Sequence, residues 1–92
     1  MVKYVYTVWF RNPDVSSDDP DYEWPACFIV ESADEGRAKC WGDHLAARYA
    51  SSSGQRLVSS GIEPREVSAL PGIDTLPIVS DGHEATDEEI GW

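Results

Sequence analysis

The residues best suited to chemistry are a cysteine and a histidine one helical turn apart, Cys40 and His44. A thiol beside an imidazole can have a lowered pKa, and both groups are good zinc ligands. A zinc site would need two further ligands, and only Cys27, His83 or carboxylates are available for it. Cys27 falls in a predicted strand, where we expect a small core residue with a free thiol. We therefore expect an exposed Cys40 beside an exposed His44 and no cofactor, with a redox or metal site as the alternative.

The sequence does not supply a catalytic set. A nucleophile at Cys40 would need His44 and an orienting acid such as Asp43 or Asp34, but adjacent positions on a helix do not face each other. There is no Gly-X-Ser-X-Gly turn, no phosphate-binding glycine loop and no His-Glu-X-X-His motif. We predict that the protein is not an enzyme.

Acidic residues dominate the charge of the chain. Its 92 residues contain 17 Asp and Glu against 7 Lys and Arg, for a formal net charge of −10. One acidic group lies within residues 14–35, which contain no basic side chain, and a second lies within residues 81–92. Such a field repels nucleic acid and anionic membranes and attracts basic surfaces. The sequence therefore predicts a basic-surfaced protein as the partner, with no direct binding of nucleic acid or membrane.

The predicted partner-binding site is the polar loop before the second strand, together with the start of that strand. Its carboxylates and aromatic anchors are Asp14, Asp18, Asp19, Asp21, Tyr22, Glu23 and Trp24. For the two aromatic residues, an interface role and a core role are both open. The run at residues 18–21 lacks the alternating ligands and the glycine of a calcium loop, so we expect no metal there.

Two functions fit these features. The first is a non-enzymatic acidic binding module, in its sharpest form a nucleic-acid mimic whose carboxylates occupy a groove built for phosphates. Phage-encoded inhibitors of CRISPR effectors and of restriction enzymes often work in this way, and the likeness here is one of size and charge. The alternative is a small housekeeping domain, dimeric through its sheet, whose acidity serves solubility or adaptation to high salt.

Length and composition fit one small folded domain. An apolar content of 41% exceeds that of disordered chains. No apolar run approaches the roughly 18 residues of a membrane span. The first residues lack the apolar stretch and cleavage site of a signal peptide, so we expect a cytoplasmic protein.

Three strands are predicted. Residues 2–10 are almost all β-branched or aromatic on both alternating faces, which is typical of a central strand covered on both sides. Residues 24–30 form the second strand, and Pro25 favours an edge position for it. Residues 56–63 form the third strand, which ends at Pro64.

A helix is predicted between the second and third strands. Ser32 and Glu35 fit a capping box with Ser32 as the N-cap, and Gly54 can end the helix in a left-handed conformation. The spacing predicts one buried helix face, formed by Ala38, Trp41, Gly42, Leu45 and Tyr49.

The resulting fold class is α+β, with the order β-β-α-β. A right-handed crossover makes the second and third strands parallel, and placing the first strand between them gives a three-stranded sheet of order 2-1-3 with the helix on one face. We predict a domain at residues 1–80 and an acidic C-terminal tail at residues 81–92 that ends in a frayed Trp92. The second sheet face is either covered by residues 67–79, with a short edge strand at 76–80 as one form, or buried in a dimer.

Overall fold

A mixed four-stranded sheet carries one long helix on one face in the computed structural model, which describes residues 1–68 and 72–92. The strands are β1 (Val2–Arg11), β2 (Glu23–Ser32), β3 (Arg56–Pro64) and β4 (Ile78–Ser80). The helices are α1 (Glu35–Ser53) and the short α2 (Asp87–Ile90), and single 3-10 turns lie at Arg65–Val67 and Ile73–Thr75. The predicted α+β class is confirmed.

The strand order is β3-β1-β2-β4. β1 lies between β2 and β3, as its two apolar faces predicted, and is antiparallel to both, whereas β4 runs parallel to β2. The predicted total of three strands is wrong, because β4 extends the sheet beyond β2. β4 is the short edge strand that the sequence offered as one alternative at residues 76–80, and its three residues are too few for an alternating pattern to choose between the alternatives. Since it pairs with β2 only at residues 29–31, Pro25 lies where the outer side of β2 has no partner strand among the described residues.

The main core lies between β1, β2 and α1. Tyr4, Tyr6, Val8 and Phe10 alternate along β1 toward the helix, and all four are buried. The predicted helix face is confirmed: its alanine, glycine and leucine are buried, and its Trp41 and Tyr49 pack against the core while partly exposed.

The N-cap of α1 is Asp34, not the predicted Ser32. The Asp34 carboxylate accepts a hydrogen bond from the backbone N–H of Arg37 at 2.8 Å. Ser32 instead ends β2, where it is buried and donates to Asp81 at 3.0 Å. Serine and aspartate are equally good N-cap residues, so the sequence pattern alone could not choose between them.

The sheet face away from α1 is covered over only part of its area. Val5 and Ile29 lie side by side on this face and are 2% and 1% exposed. The chain after β3 contacts β1 through Arg65–Val67, and the Pro77 carbonyl accepts a hydrogen bond from the Ile29 N–H at 2.9 Å. This is the segment that we predicted to wrap the face, although its residues 69–71 lie outside the described residues. Trp9, further along the same face, remains 42% exposed.

The C-terminal residues pack against the core. Ala85 and Ile90 are buried, and the Trp92 ring stacks on Tyr49 with 4.8 Å between the ring centroids. Trp92 also meets Phe10 and Phe28 edge to face, each at 5.5 Å. The expectation that Trp92 is a frayed end is therefore wrong.

Gly42 is required by the packing of α1 on β1. A Cβ atom at this position would lie 2.6 Å from Cγ and Cε1 of the Tyr6 ring, so the ring or the helix would have to move. We expect Gly42→Ala to lower the free energy of unfolding by about 1–3 kcal/mol, although alanine is the better helix former. Urea denaturation followed by circular dichroism measures the difference. The matched control is Gly36→Ala, whose Cβ meets nothing closer than the Asp34 carboxylate at 3.5 Å; an equal loss in both variants would contradict the close contact.

Trp92 should contribute measurably to stability. We expect Trp92→Ala to lower the free energy of unfolding by about 2 kcal/mol, less than for a fully buried tryptophan because the ring is partly exposed. The more exposed Trp9 provides the control, and its replacement by alanine should cost less than about 1 kcal/mol. Equal losses in the two variants would show that the stacking of Trp92 does not hold in solution.

Candidate protein-binding surface

The acidic loop, residues 12–22, connects β1 to β2 and is closed by its own hydrogen bonds. The Asn12 N–H donates to the Tyr22 carbonyl at 2.7 Å, which joins the two ends of the loop. Inside it, side-chain oxygens of Asn12 and Asp19 accept from the N–H groups two residues further on, at 3.0 and 2.8 Å. Such turns fix the backbone locally, so the loop presents its side chains from a defined scaffold.

Four of the five predicted acidic site residues are exposed on this loop: Asp14, Asp18, Asp19 and Asp21. None of the four forms an ion pair within residues 1–68 and 72–92. Glu23 differs, because Arg11 donates to it at 2.6 Å and also lies over the Tyr22 ring, 5.3 Å from the centroid. The hydrogen bond to Glu23 raises the pKa of Arg11. The uncompensated charge of the predicted site therefore comes from the four aspartates.

The two predicted aromatic anchors have different surroundings. Tyr22 is half-buried under the Arg11 guanidinium. Trp24 packs against Phe10 with 4.9 Å between the ring centroids, and its indole N–H donates to Gln55 at 3.0 Å. The Trp24 ring thus belongs to the partly buried border of the core, which leaves only part of it accessible at the surface.

The C-terminus of α1 lies at the same end of the sheet as the acidic loop, since Trp24 at the start of β2 bonds Gln55 just after the helix. A helix carries partial negative charge at its C-terminus, and the last turn of α1 contains no basic residue to offset it. We call this end of the sheet, formed by residues 12–23 and 51–56, the acidic end. Arg11 and Arg56, which are cross-strand neighbours on β1 and β3, are the cations at the acidic end.

Sequence reasoning missed the exposure of two apolar residues beside the acidic end. Leu57 and Val58 on β3 are 39% and 41% exposed. Leu57 lies across from Phe10, which faces α1, whereas Trp9 on the opposite face lies across from Ser59. The β1–β3 register shifts between Trp9 and Phe10, so β3 bulges at this point. Leucine and valine in a strand usually indicate core positions, and the sequence contains no signal for the bulge that places them at the surface.

A polar cluster joins α1 to the sheet through Asp43. The Tyr6 hydroxyl and the Ser60 hydroxyl each donate to Oδ1 of Asp43 at 2.6 Å, and Lys39 donates to Oδ2 at 3.0 Å. Partial burial alone would raise the pKa of Asp43, but the hydrogen bonds from Ser60 and Tyr6 and the Lys39 ammonium outweigh it and lower that pKa. Burial, with the Asp43 carboxylate beside it, raises the pKa of Tyr6, so this hydroxyl stays protonated. The cluster is a fixed attachment between helix and sheet.

Cys40 and His44 are both exposed on α1, as predicted. The His44 ring is engaged elsewhere: Nε2 lies 2.5 Å from a Glu84 carboxylate oxygen, and the ring stacks on Trp41 at 4.8 Å. The hydrogen bond from His44, with Arg48 adding to it, lowers the pKa of Glu84. Cys27 is half-buried with its Sγ 3.5 Å from the Thr7 hydroxyl. Within the described ranges, no three His, Cys, Asp or Glu side chains are grouped so as to hold a metal ion.

Comparison with known proteins gives no match, whether with protein-family models, with curated proteins or with solved structures. In the part of the chain that the structure describes, no helix is both long enough and apolar enough to span a membrane.

The Asp43 cluster predicts a defined pH dependence. Because the pKa of Asp43 is lower in the folded state, its contribution to stability is complete above the unfolded value of about 3.9 and disappears as the pH falls through the folded value. We expect Asp43→Asn to lower the free energy of unfolding at pH 7 by about 1–2 kcal/mol, a modest loss because the side chain is 37% exposed. Below pH 4 the difference from the wild type should shrink. Urea denaturation between pH 2 and 7 measures it.

Asp14→Asn is the control for that series, since Asp14 has no ion pair among the described residues. Its stability difference from the wild type should be small at every pH. If the difference for Asp43→Asn stayed constant with pH, the carboxylate would not be the charged acceptor of the cluster.

Proposed function

We propose that this protein is a non-enzymatic binding module whose acidic loop binds a basic surface of another protein. The observation that carries the proposal is the set of four exposed aspartates, without ion pairs in the described ranges, on a loop closed by its own hydrogen bonds. Carboxylates held in place before binding attract a basic partner over a distance and fix its orientation on contact. The partial negative charge at the end of α1 strengthens the same field.

The sharpest form of the proposal is mimicry of nucleic acid. Spaced carboxylates on a small scaffold resemble the phosphates of a nucleic-acid strand, so a groove that binds such a strand is the complementary surface. The partner would then be a nucleic-acid-handling protein, and blocking its groove would make this chain an inhibitor of the anti-CRISPR or anti-restriction type. A cytoplasmic location and the absence of a cofactor belong to the same proposal.

A second candidate is a housekeeping domain that dimerises through the sheet. The observation that favours it is the incompletely covered sheet face, on which Trp9 is 42% exposed. In that case the acidity would serve only solubility, and screening of self-repulsion by salt would raise the stability without any salt-sensitive partner.

The loop aspartates can be neutralised without unfolding the chain. In the variant with Asp14, Asp18, Asp19 and Asp21 all replaced by Asn, each amide oxygen can still accept a hydrogen bond, including the one from the Asp21 N–H to position 19. We expect this loop variant to lose at least about tenfold in affinity for the basic partner, because several charge pairs are lost together. Wild type and variant are immobilised, exposed to host lysate at low salt and eluted with a salt gradient, and the bound proteins are quantified by mass spectrometry.

The control removes the same number of charges elsewhere, at Glu31, Glu35, Glu66 and Glu88, which like the loop aspartates form no ion pair in the described ranges. A partner that binds the wild type and this control but not the loop variant supports the proposal. A nucleic-acid duplex that displaces that partner supports mimicry in particular. Equal binding to the loop variant, or no salt-sensitive partner at all, would favour the housekeeping domain.

A further inference from the structure

The outer edge of β3 is long and has no partner strand among the described residues. β3 contains nine residues and is the last strand on its side of the sheet, whereas β4 at the opposite edge contains three. Proteins usually protect such edges with lysine, proline or a bulge. Here the bulge lies near the first residues of β3 and Pro64 lies at its last, so the stretch between them is unprotected. Its free main-chain groups can pair with an extended peptide segment.

A hollow of about 230 Å³ opens beside this edge, on the face away from α1. Its lining consists of Val5, Thr7, Gly61, Ile62 and Glu63. Pockets for drug-sized ligands hold about 300–1,000 Å³, so a space of this size suits a single side chain. Thr7, Gly61 and Glu63 form its accessible lining, since Val5 beneath them is 2% exposed and the side chain of Ile62, paired with Tyr6, packs on the face toward α1. Glu63 is exposed and has no ion pair in the described part of the chain.

Gly61 is the residue that keeps the hollow open. Its φ is not in the left-handed region, and a Cβ built on it would meet no atom within 4 Å. Neither the backbone conformation nor the packing of this chain therefore requires glycine here, and glycine weakens a strand interior. Glycine inside a strand is typical of a position that another backbone or a ligand approaches closely.

We propose that the β3 edge and the hollow over Gly61 bind an extended segment of the partner protein that contains lysine or arginine. The aliphatic part of this cationic side chain lies over Gly61 and Thr7, and its charged end reaches the Glu63 carboxylate. The inference rests on the proposed function, because one basic partner has to reach both the acidic loop, at the Arg56 end of β3, and Glu63, seven residues further along that strand. A second copy of this chain fits the edge less well, since two chains of net charge −10 repel each other.

Nuclear magnetic resonance on the full, ¹⁵N-labelled chain tests the site with a defined probe. The probe is a short capped peptide of alternating lysine and valine, and the control peptide has glutamate in place of lysine. We expect the lysine peptide to shift the amide signals of residues 56–63 and of Val5 and Thr7, and the glutamate peptide to leave them in place.

Gly61→Val separates binding from folding. The valine fills the hollow, meets no atom within 4 Å at its Cβ and suits a strand, so the free energy of unfolding should stay the same or rise. The Kd for the lysine peptide should increase about tenfold, the size expected when one apolar side-chain contact is lost. Ser80→Val, on the opposite edge strand, is the matched control and should leave the Kd unchanged.

The outcomes distinguish this site from the acidic loop. Lysine-peptide shifts at residues 56–63 that Gly61→Val weakens support the β3 site, and their persistence in the loop variant would show that the site acts without the loop. Shifts confined to residues 12–22 and unaffected by Gly61→Val would overturn the β3 site and leave the loop proposal standing. No shift at residues 56–63 overturns it as well. A dimer in analytical ultracentrifugation that Gly61→Val abolishes would assign the edge to a second copy and overturn the proposal.

Discussion

The ring of Tyr6 lies directly against the backbone of α1 at Gly42, and its hydroxyl donates to Asp43 on the next position of the helix. This pair of contacts combines a close apolar approach with a charged hydrogen bond, so it fixes both the distance and the rotation of the helix relative to β1. Ser60 donates to the same carboxylate and thereby joins β3 to the assembly. Because β1 is paired with β2 on one side and β3 on the other, this contact positions α1 relative to all three strands.

The fold class and the centre of the sheet could be predicted because their signals are local and redundant. The alternating apolar sets of β1 predicted a strand covered on both sides, and Val5 and Tyr6 are indeed buried on opposite faces. The helix face followed from the spacing of Ala38, Gly42 and Leu45, all of which are buried. The order of the first three strands then followed from chain direction and the handedness of the crossover.

The features that the sequence left open or missed depend on contacts between distant residues. An edge strand at residues 76–80 was only one alternative, because so short a strand carries no periodic signal of its own; β4 forms because Ile78 and Val79 pair with Ile29 and Val30. Trp92 follows an acidic run that is typical of a solvated tail, and its packed position comes from the distant rings of Phe10, Phe28 and Tyr49. Among the site residues, sequence reasoning located the acidic loop but could not show that Glu23 forms an ion pair with Arg11.

The acidic end keeps its negative charge because most lysines and arginines form ion pairs elsewhere in the structure. Five of the seven lysines and arginines form ion pairs in the described ranges, namely Arg11, Arg37, Lys39, Arg48 and Arg65. Most of these pairs attach α1 or the segments after β3 to their neighbours. The four loop aspartates have no such partner in the described ranges, so their charge is not offset by a neighbouring lysine or arginine.

The central position of β1 also affects how the chain folds during synthesis. β1 and β2 are neighbours in sequence and can form a hairpin as soon as both have left the ribosome, but the other side of β1 must wait for β3, which begins at residue 56. Until then the most apolar strand of the protein exposes one unpaired side and an uncovered face to solvent. Incomplete chains of this length are therefore the species most prone to aggregate and most in need of a chaperone.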